Sequence, residues 1–179
     1  MNSPAADTPI LALDPATLTG YCHGLGKKYF SGTWNIQAPG HFGNKLRQFY
    51  GFLCDFHESR PFARIAIEDA MQGSRARATM AFHSYLRGMV YFFAAEHGNL
   101  PVAMVNPMTL KKFACNDGKA KKADVIRACR MHGFTPEDDN EADAIMICLM
   151  AQQDYEIEQR TTRHRSRRSA PKPRTLFEE

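Results

Sequence analysis

The chain holds 179 residues, 44% of them hydrophobic and 12 of them Phe, which is enough for one domain with a real core plus an appendage. No apolar run approaches the ~20 residues that span a bilayer, and the first eight residues lack the charged and apolar regions of a secretion signal, so the composition points to a cytoplasmic protein. Five cysteines without C-x-x-C spacing fit buried thiols in a reducing compartment and not a zinc site or a disulfide frame. The net charge of +4 is carried by the end of the chain: seven of the 23 Lys and Arg lie between Arg160 and Arg174, and setting them aside leaves 16 basic against 19 acidic residues. We therefore divide the chain into a folded domain over 1–155 and a basic tail over 156–179, expected to be disordered from residue 160 on.

In chain order, Ile10–Leu13 is an unbroken apolar run that meets Asp14 and is stopped by Pro15, the pattern of a strand buried on both faces. Thr17–Gly20 is predicted to turn, and Tyr21–Gly26 and Lys28–Ile36 to form two further strands of a meander. Leu46, Phe49, Tyr50, Leu53 and Phe56 recur at helical spacing up to Ser59, where Arg60-Pro61 ends the helix. Ala63–Ile67 is a second short apolar run, and it ends in Glu68-Asp69 much as the first ends in Asp14. A basic loop with Arg75 and Arg77 leads into a long helix whose face carries Phe82, Leu86, Met89, Val90 and Phe93.

Pro101–Val105 is predicted as another buried strand, and two helices flank the turn Asn116-Asp117-Gly118. The second of these runs from about Lys119 to Met131 with Val125, Ile126 and Cys129 inward. A final helix buries Ala142, Ile145, Met146 and Leu149. Five strands alternating with long helical patterns give an α/β fold, a mixed sheet with helices on both faces. There is no internal repeat.

Three acids stand out: Asp14 and Glu68 end neighbouring strands, and Asp143 sits near the start of a helix. In D-D-N-E-A-D, Asp139 and Asn140 precede Asp143 by four and three residues, so all three share one helix face. Hard oxygen ligands converging from two strand ends and a helix suit Mg²⁺. Two such ions ~4 Å apart would activate water and stabilise the leaving oxygen in an in-line attack on a phosphodiester. Each acid also has a structural reading: Asp14 as a turn cap, Glu68 as an arginine partner, and the 138–143 run as a helix N-terminus enriched in acids by the dipole.

The blocks I-L-A-L-D-P-A-T-L-T-G-Y, I-A-I-E-D-A-M, V-N-P-M-T-L-K-K with G-K-A-K-K-A-D-V-I, and D-N-E-A-D-A-I together resemble the RuvC-type Holliday junction resolvases, in order and interval, from about Pro9 to Ala151. The resemblance implies a ribonuclease H-like fold and a homodimer that nicks four-way junctions with two Mg²⁺ ions per site, Mn²⁺ substituting, and no small-molecule cofactor. Asp14, Glu68 and Asp143 fall on the family's metal-binding acids. Lys111 and Lys122 fall on basic positions near the scissile phosphate, with Lys122 the candidate for stabilising transition-state charge.

Two positions depart from the family pattern. Asn140 stands where a fourth acid is common, with Asp139 or Glu141 as possible replacements, Asp139 having the better helical geometry. Met71 stands where an aromatic residue wedges into the junction. Both departures resemble phage-encoded members.

Lys111, Lys112, Lys119, Lys121, Lys122, Arg127 and Arg130 form a cation-rich block, read as a phosphate track into the acidic centre or as a solvated helix face. Arg75 and Arg77 are placed to hold a branch arm, and the tail to attract phosphate non-specifically or to aid solubility. His83 and His132 are expected at the surface or core edge. The rival functions are a ribonuclease H-type nuclease for RNA–DNA hybrids and a non-catalytic module that binds branched DNA, the second suggested by Asn140. The long helix over 82–93 is the expected dimer surface.

Overall fold

The structure is a computed structural model that describes residues 8–69 and 77–169, with side chains described over 8–69 and 78–154. Five strands form one sheet: β1 (Ile10–Asp14), β2 (Leu18–Leu25), β3 (Lys28–Asn35), β4 (Arg64–Glu68) and β5 (Val102–Val105). The spatial order is β3-β2-β1-β4-β5, antiparallel from β3 to β1 and parallel from β1 to β5. The helices are α1 (Phe42–Ser59), α2 (Arg77–Glu96), α3 (Pro107–Cys115), α4 (Lys122–Met131) and α5 (Asp139–Ser169).

The two-residue period of β1 explains how the sheet is covered. Leu11 and Leu13 point to one face, where Trp34, Phe49, Leu53, Leu86, Val90 and Phe93 bury α1 and α2. Ile10 and Ala12 point to the other, against Val125, Cys129, Ile145 and Cys148 of α4 and α5. Both faces being covered, β1 has no polar side chain until its last residue. The alternation continues in β4, where Ile65 and Ile67 join the first cluster and Ala66 the second.

The face of β2 beneath α5 is made of Gly20, Cys22 and Gly24. A Cβ at Gly20 would overlap the Asn140 carbonyl, and one at Gly24 would lie 2.6 Å from Cys148 Sγ. Small residues on the strand thus let α5 descend onto it, which is why 142 and 144–148 are buried almost all round the helix.

The five cysteines are free. Burial pushes the Cys129 thiol up to about 12, and a hydrogen bond with Cys148 together with burial pushes Cys22 well up, so these thiols remain protonated packing groups.

Two expectations are corrected. Thr17–Gly20 is not a turn: β2 begins at Leu18, and Gly20 pairs with Asp14 across the ladder, the bend between β1 and β2 falling at Ala16-Thr17. β5 is not a buried strand but the sheet edge, with Ala103 and Met104 exposed. The backbone of α5 runs helical to Ser169. Extending an existing helix adds residues without a new nucleation cost. No helix among the described residues is long and apolar enough to cross a membrane.

Candidate functional site

The strand alternation decides where the two strand-end acids point. Ala12 and Ala66 face α5, so Asp14 and Glu68, two residues further along each strand, face the same way. The last pair in the parallel ladder is Leu13 opposite Ile67, which sets Asp14 and Glu68 side by side at the rim. Above them α5 begins, and its first turns carry Asp139, Asn140 and Asp143.

These residues line a single cleft of about 270 Å³ with Lys111 of α3, Lys122 of α4, and Thr79 and His83 of α2. Asp14 is 8% exposed and closes the floor.

Electrostatics within the cleft are unbalanced. Burial, and then the charges of Asp14 and Asp139, push the Asp143 carboxyl up from 3.8 to about 7, and Lys111 and Lys122 only partly oppose this. A half-buried carboxyl crowded by two others lacks positive charge on the scale that a divalent ion supplies. The Lys122 ammonium is bonded to Asp139 Oδ2, which raises its own pKa despite partial desolvation. With the Lys122 side chain 74% exposed, that ion pair adds little stability by itself.

The donor set, hard oxygens from Asp14, Glu68, Asp139, Asn140 and Asp143, fits a divalent cation. Among the described residues no three Asp, Glu, His or Cys side chains stand ready-made as a ligand shell. Side-chain rotation within the cleft, and release of Asp139 from Lys122, would be needed to close around an ion.

The acidic run that opens α5 splits by role. Asp138 Oδ1 accepts from the Glu141 N–H at 2.8 Å, the helix-capping function that the dipole reading anticipates. Glu141 is buried and accepts from Ser31 Oγ and from the Glu137 N–H. It is therefore not a stand-in ligand for Asn140, whereas Asp139 does line the cleft.

Of the cation block, Lys111 and Lys122 reach the cleft, while Lys112, Lys119 and Lys121 lie exposed on the α3–α4 hairpin outside its lining. Asp117 Oδ1 accepts from the Lys119 N–H, and Asp124 accepts from the Lys121 N–H and pairs with Arg127. The two acids of the block are thus spent on the turn and the helix start. Met71, Arg75, the Arg77 side chain and the side chains of the tail cations lie outside the described residues.

His83, expected at the surface or core edge, is half-buried there and lines the cleft, a place the sequence reading did not assign it. The signal was its spacing: Thr79 and His83 are one turn apart on the helix that the Glu68 loop feeds, so the first turns of α2 had to stand beside the strand ends.

No family model and no curated protein matches the chain. Solved structures do. T. thermophilus RuvC in complex with Holliday junction substrate superposes with TM-score 0.69 at 19% identity, covering 83% of this chain and 97% of that one. A second Thermus thermophilus RuvC structure gives 0.68 at 20% identity, over 85% and 96%. The yeast mitochondrial Holliday junction resolvase Ydc2 gives 0.62 at 15% identity, over 87% and 82%. The mixed sheet, its order and its helical cover therefore make this the fold of the RuvC-type Holliday junction resolvases.

Proposed function

We propose that the chain is a metal-dependent DNA endonuclease of the RuvC type that nicks four-way junctions and related branched DNA. The observation that carries this is the convergence of Asp14, Glu68 and Asp143, from three separate elements, in one cleft flanked by Lys111 and Lys122. The shared fold supports it, since a RuvC of that fold has been captured with a Holliday junction substrate.

In this reading Asp14, Glu68 and Asp143 hold two Mg²⁺ or Mn²⁺ ions, with Asn140 and Asp139 completing the set. The ions, when bound, supply an activated water and Lewis acidity at the scissile phosphate. The chain's own residues do the rest. Lys111 fixes the phosphate at the mouth of the cleft, and Lys122, once it leaves Asp139, places its ammonium where charge builds on the phosphoryl oxygens. Asn140 donates an oxygen without charge, so the site is less anionic than one built with an acid there. The exposed Lys112, Lys119 and Lys121 attract the duplex arms through their phosphates, as do Arg75, Arg77 and the tail, while Met71 intrudes at the branch.

Two active sites facing the opposite strands of a junction require two copies of the chain. The exposed side of α2 offers the contact: Tyr85 (53% exposed) and Phe92 (52% exposed) flank Gly88, over which a Cβ would meet nothing within 4 Å. The missing side chain of Gly88 leaves room for a second helix to approach between these aromatics.

The test is a nicking assay on four-way, three-way, flap and linear DNAs and an RNA–DNA hybrid, each with Mg²⁺ and with Mn²⁺. Paired nicks in the four-way junction are expected. Preferred cleavage of the hybrid favours the ribonuclease H reading, and binding without nicking in either ion favours the non-catalytic one.

A further inference from the structure

Glu141 is a carboxylate that the cleft does not use, and it is 7% exposed. Its oxygens are both occupied: Oε1 accepts from Ser31 Oγ at 2.7 Å, and Oε2 accepts from the Glu137 N–H at 2.8 Å. A buried carboxylate is tolerated when hydrogen-bonded in this way, yet a well-packed apolar residue at the same point is often no less stable. Its distinguishing property is direction, because it ties a defined point of α5 to a defined point of the sheet.

Ser31 lies on β3, the sheet's outer strand, in register with Cys22 of β2. The Ser31–Glu141 bond therefore reaches across β2 and holds the first turn of α5 from the flank. The seat beneath that turn is Gly20, whose missing side chain admits the Asn140 backbone and which stands opposite Asp14 in the ladder. Asn140 and Asp143, on either side of Glu141, are set by these two contacts into the cleft that Asp14 lines.

We infer that Ser31 and Glu141 are positioning residues for the divalent-cation site, fixing the height and rotation of the first turn of α5 and thereby the spacing of Asp143 and Asn140 from Asp14. This deepens the nuclease reading and rests on it. Neither residue lines the cleft. Their effect on binding passes through the helix they hold, as that of outer partners around a metal site does.

The experiment counts Mn²⁺ bound to the metal-free full chain by electron paramagnetic resonance, for wild type, Ser31→Ala, Ser31→Thr and Glu141→Gln, with nicking measured across the same Mn²⁺ range. Ser31→Ala is expected to bind Mn²⁺ about tenfold more weakly, with half-saturation for nicking raised by the same factor and the rate at saturating Mn²⁺ close to wild type. Ser31→Thr, which keeps the hydroxyl, is expected to restore affinity. Glu141→Gln keeps an acceptor for Ser31 and provides a second, gentler variant, expected to fall between wild type and Ser31→Ala. Unchanged Mn²⁺ affinity in both Ser31→Ala and Glu141→Gln, or a loss that Ser31→Thr fails to restore, overturns the positioning role. The expected pattern of Mn²⁺ affinities in a chain that nicks no DNA supports the positioning role and overturns the nuclease assignment alone. A wild-type chain that binds no Mn²⁺ overturns both.

Discussion

Lys122 and Asp139 are bonded to each other across the mouth of the cleft. One is the candidate phosphate cation and the other a candidate ligand, and neither is available for its task while the bond lasts. Lys122→Ala is therefore expected to act in opposite directions on two measurements. Turnover of junction DNA falls, on the order of a hundredfold if the ammonium meets transition-state charge. Mn²⁺ affinity measured without DNA rises, because Asp139 is released. Two losses together would place Lys122 in support of the ion site instead.

Burial, with the charges of Asp14 and Asp139 beside it, pushes the Asp143 carboxyl up to about 7 in the metal-free protein. The proton favours the folded state, so its stabilisation is fully present below about pH 4 and is lost as pH rises through about 7, by up to about 4 kcal/mol. Asp143→Asn should be more stable than the metal-free wild type at pH 8 and no more stable at pH 4, as urea denaturation will read. Because an ion must displace the same proton, its apparent affinity should climb about tenfold per pH unit up to 7 and then level off.

Asp14 forms the floor of the cleft at the end of a strand whose other residues are all core. Asp14→Asn keeps the shape and removes the charge. Nicking in Mg²⁺ or Mn²⁺ should be abolished, while junction binding in a gel-shift assay with Ca²⁺ stays within about threefold of wild type, since the cations outside the cleft are unchanged. Undiminished nicking would mean that the chemistry lies elsewhere.

Phe92→Glu places a charge in the middle of the proposed helix–helix contact and touches nothing in the cleft. Sedimentation should show a dimer for wild type and a monomer for the variant, with paired nicking reduced to single nicks. A wild-type monomer at concentrations where it nicks in pairs would remove α2 from the account.

Truncation after Gln159 deletes seven cations and no catalytic residue. The slope of log affinity against log salt should flatten, with the rate at saturating DNA unchanged. An unaltered slope would make the tail a solubility element.

The parts of this molecule legible in the sequence were those written as periodicity. The run Ile10–Leu13 and the stripe Leu86, Val90, Phe93 are buried as their spacing requires. Asp14 and Glu68 share a rim because each follows a run with the same alternation. What was not legible depended on backbone approach, which has no period. Gly20 looks like a turn residue in sequence, yet it is a strand residue whose role is set by a helix more than a hundred positions away. The withdrawal of Glu141 from the cleft could not be read either, because it depends on Ser31 of a separate strand. β5 has the composition of an inner strand, and only the sheet order reveals it as an edge.

The anionic pocket draws on the first strand and the last helix, and on β4 between them. No fragment of the polypeptide made before α5 emerges from synthesis contains it. Divalent ions should accordingly recognise the finished molecule alone, leaving early collapse untouched and adding their free energy only to the native state. Occupancy by Mn²⁺ during refolding then serves as a clock for the final docking event.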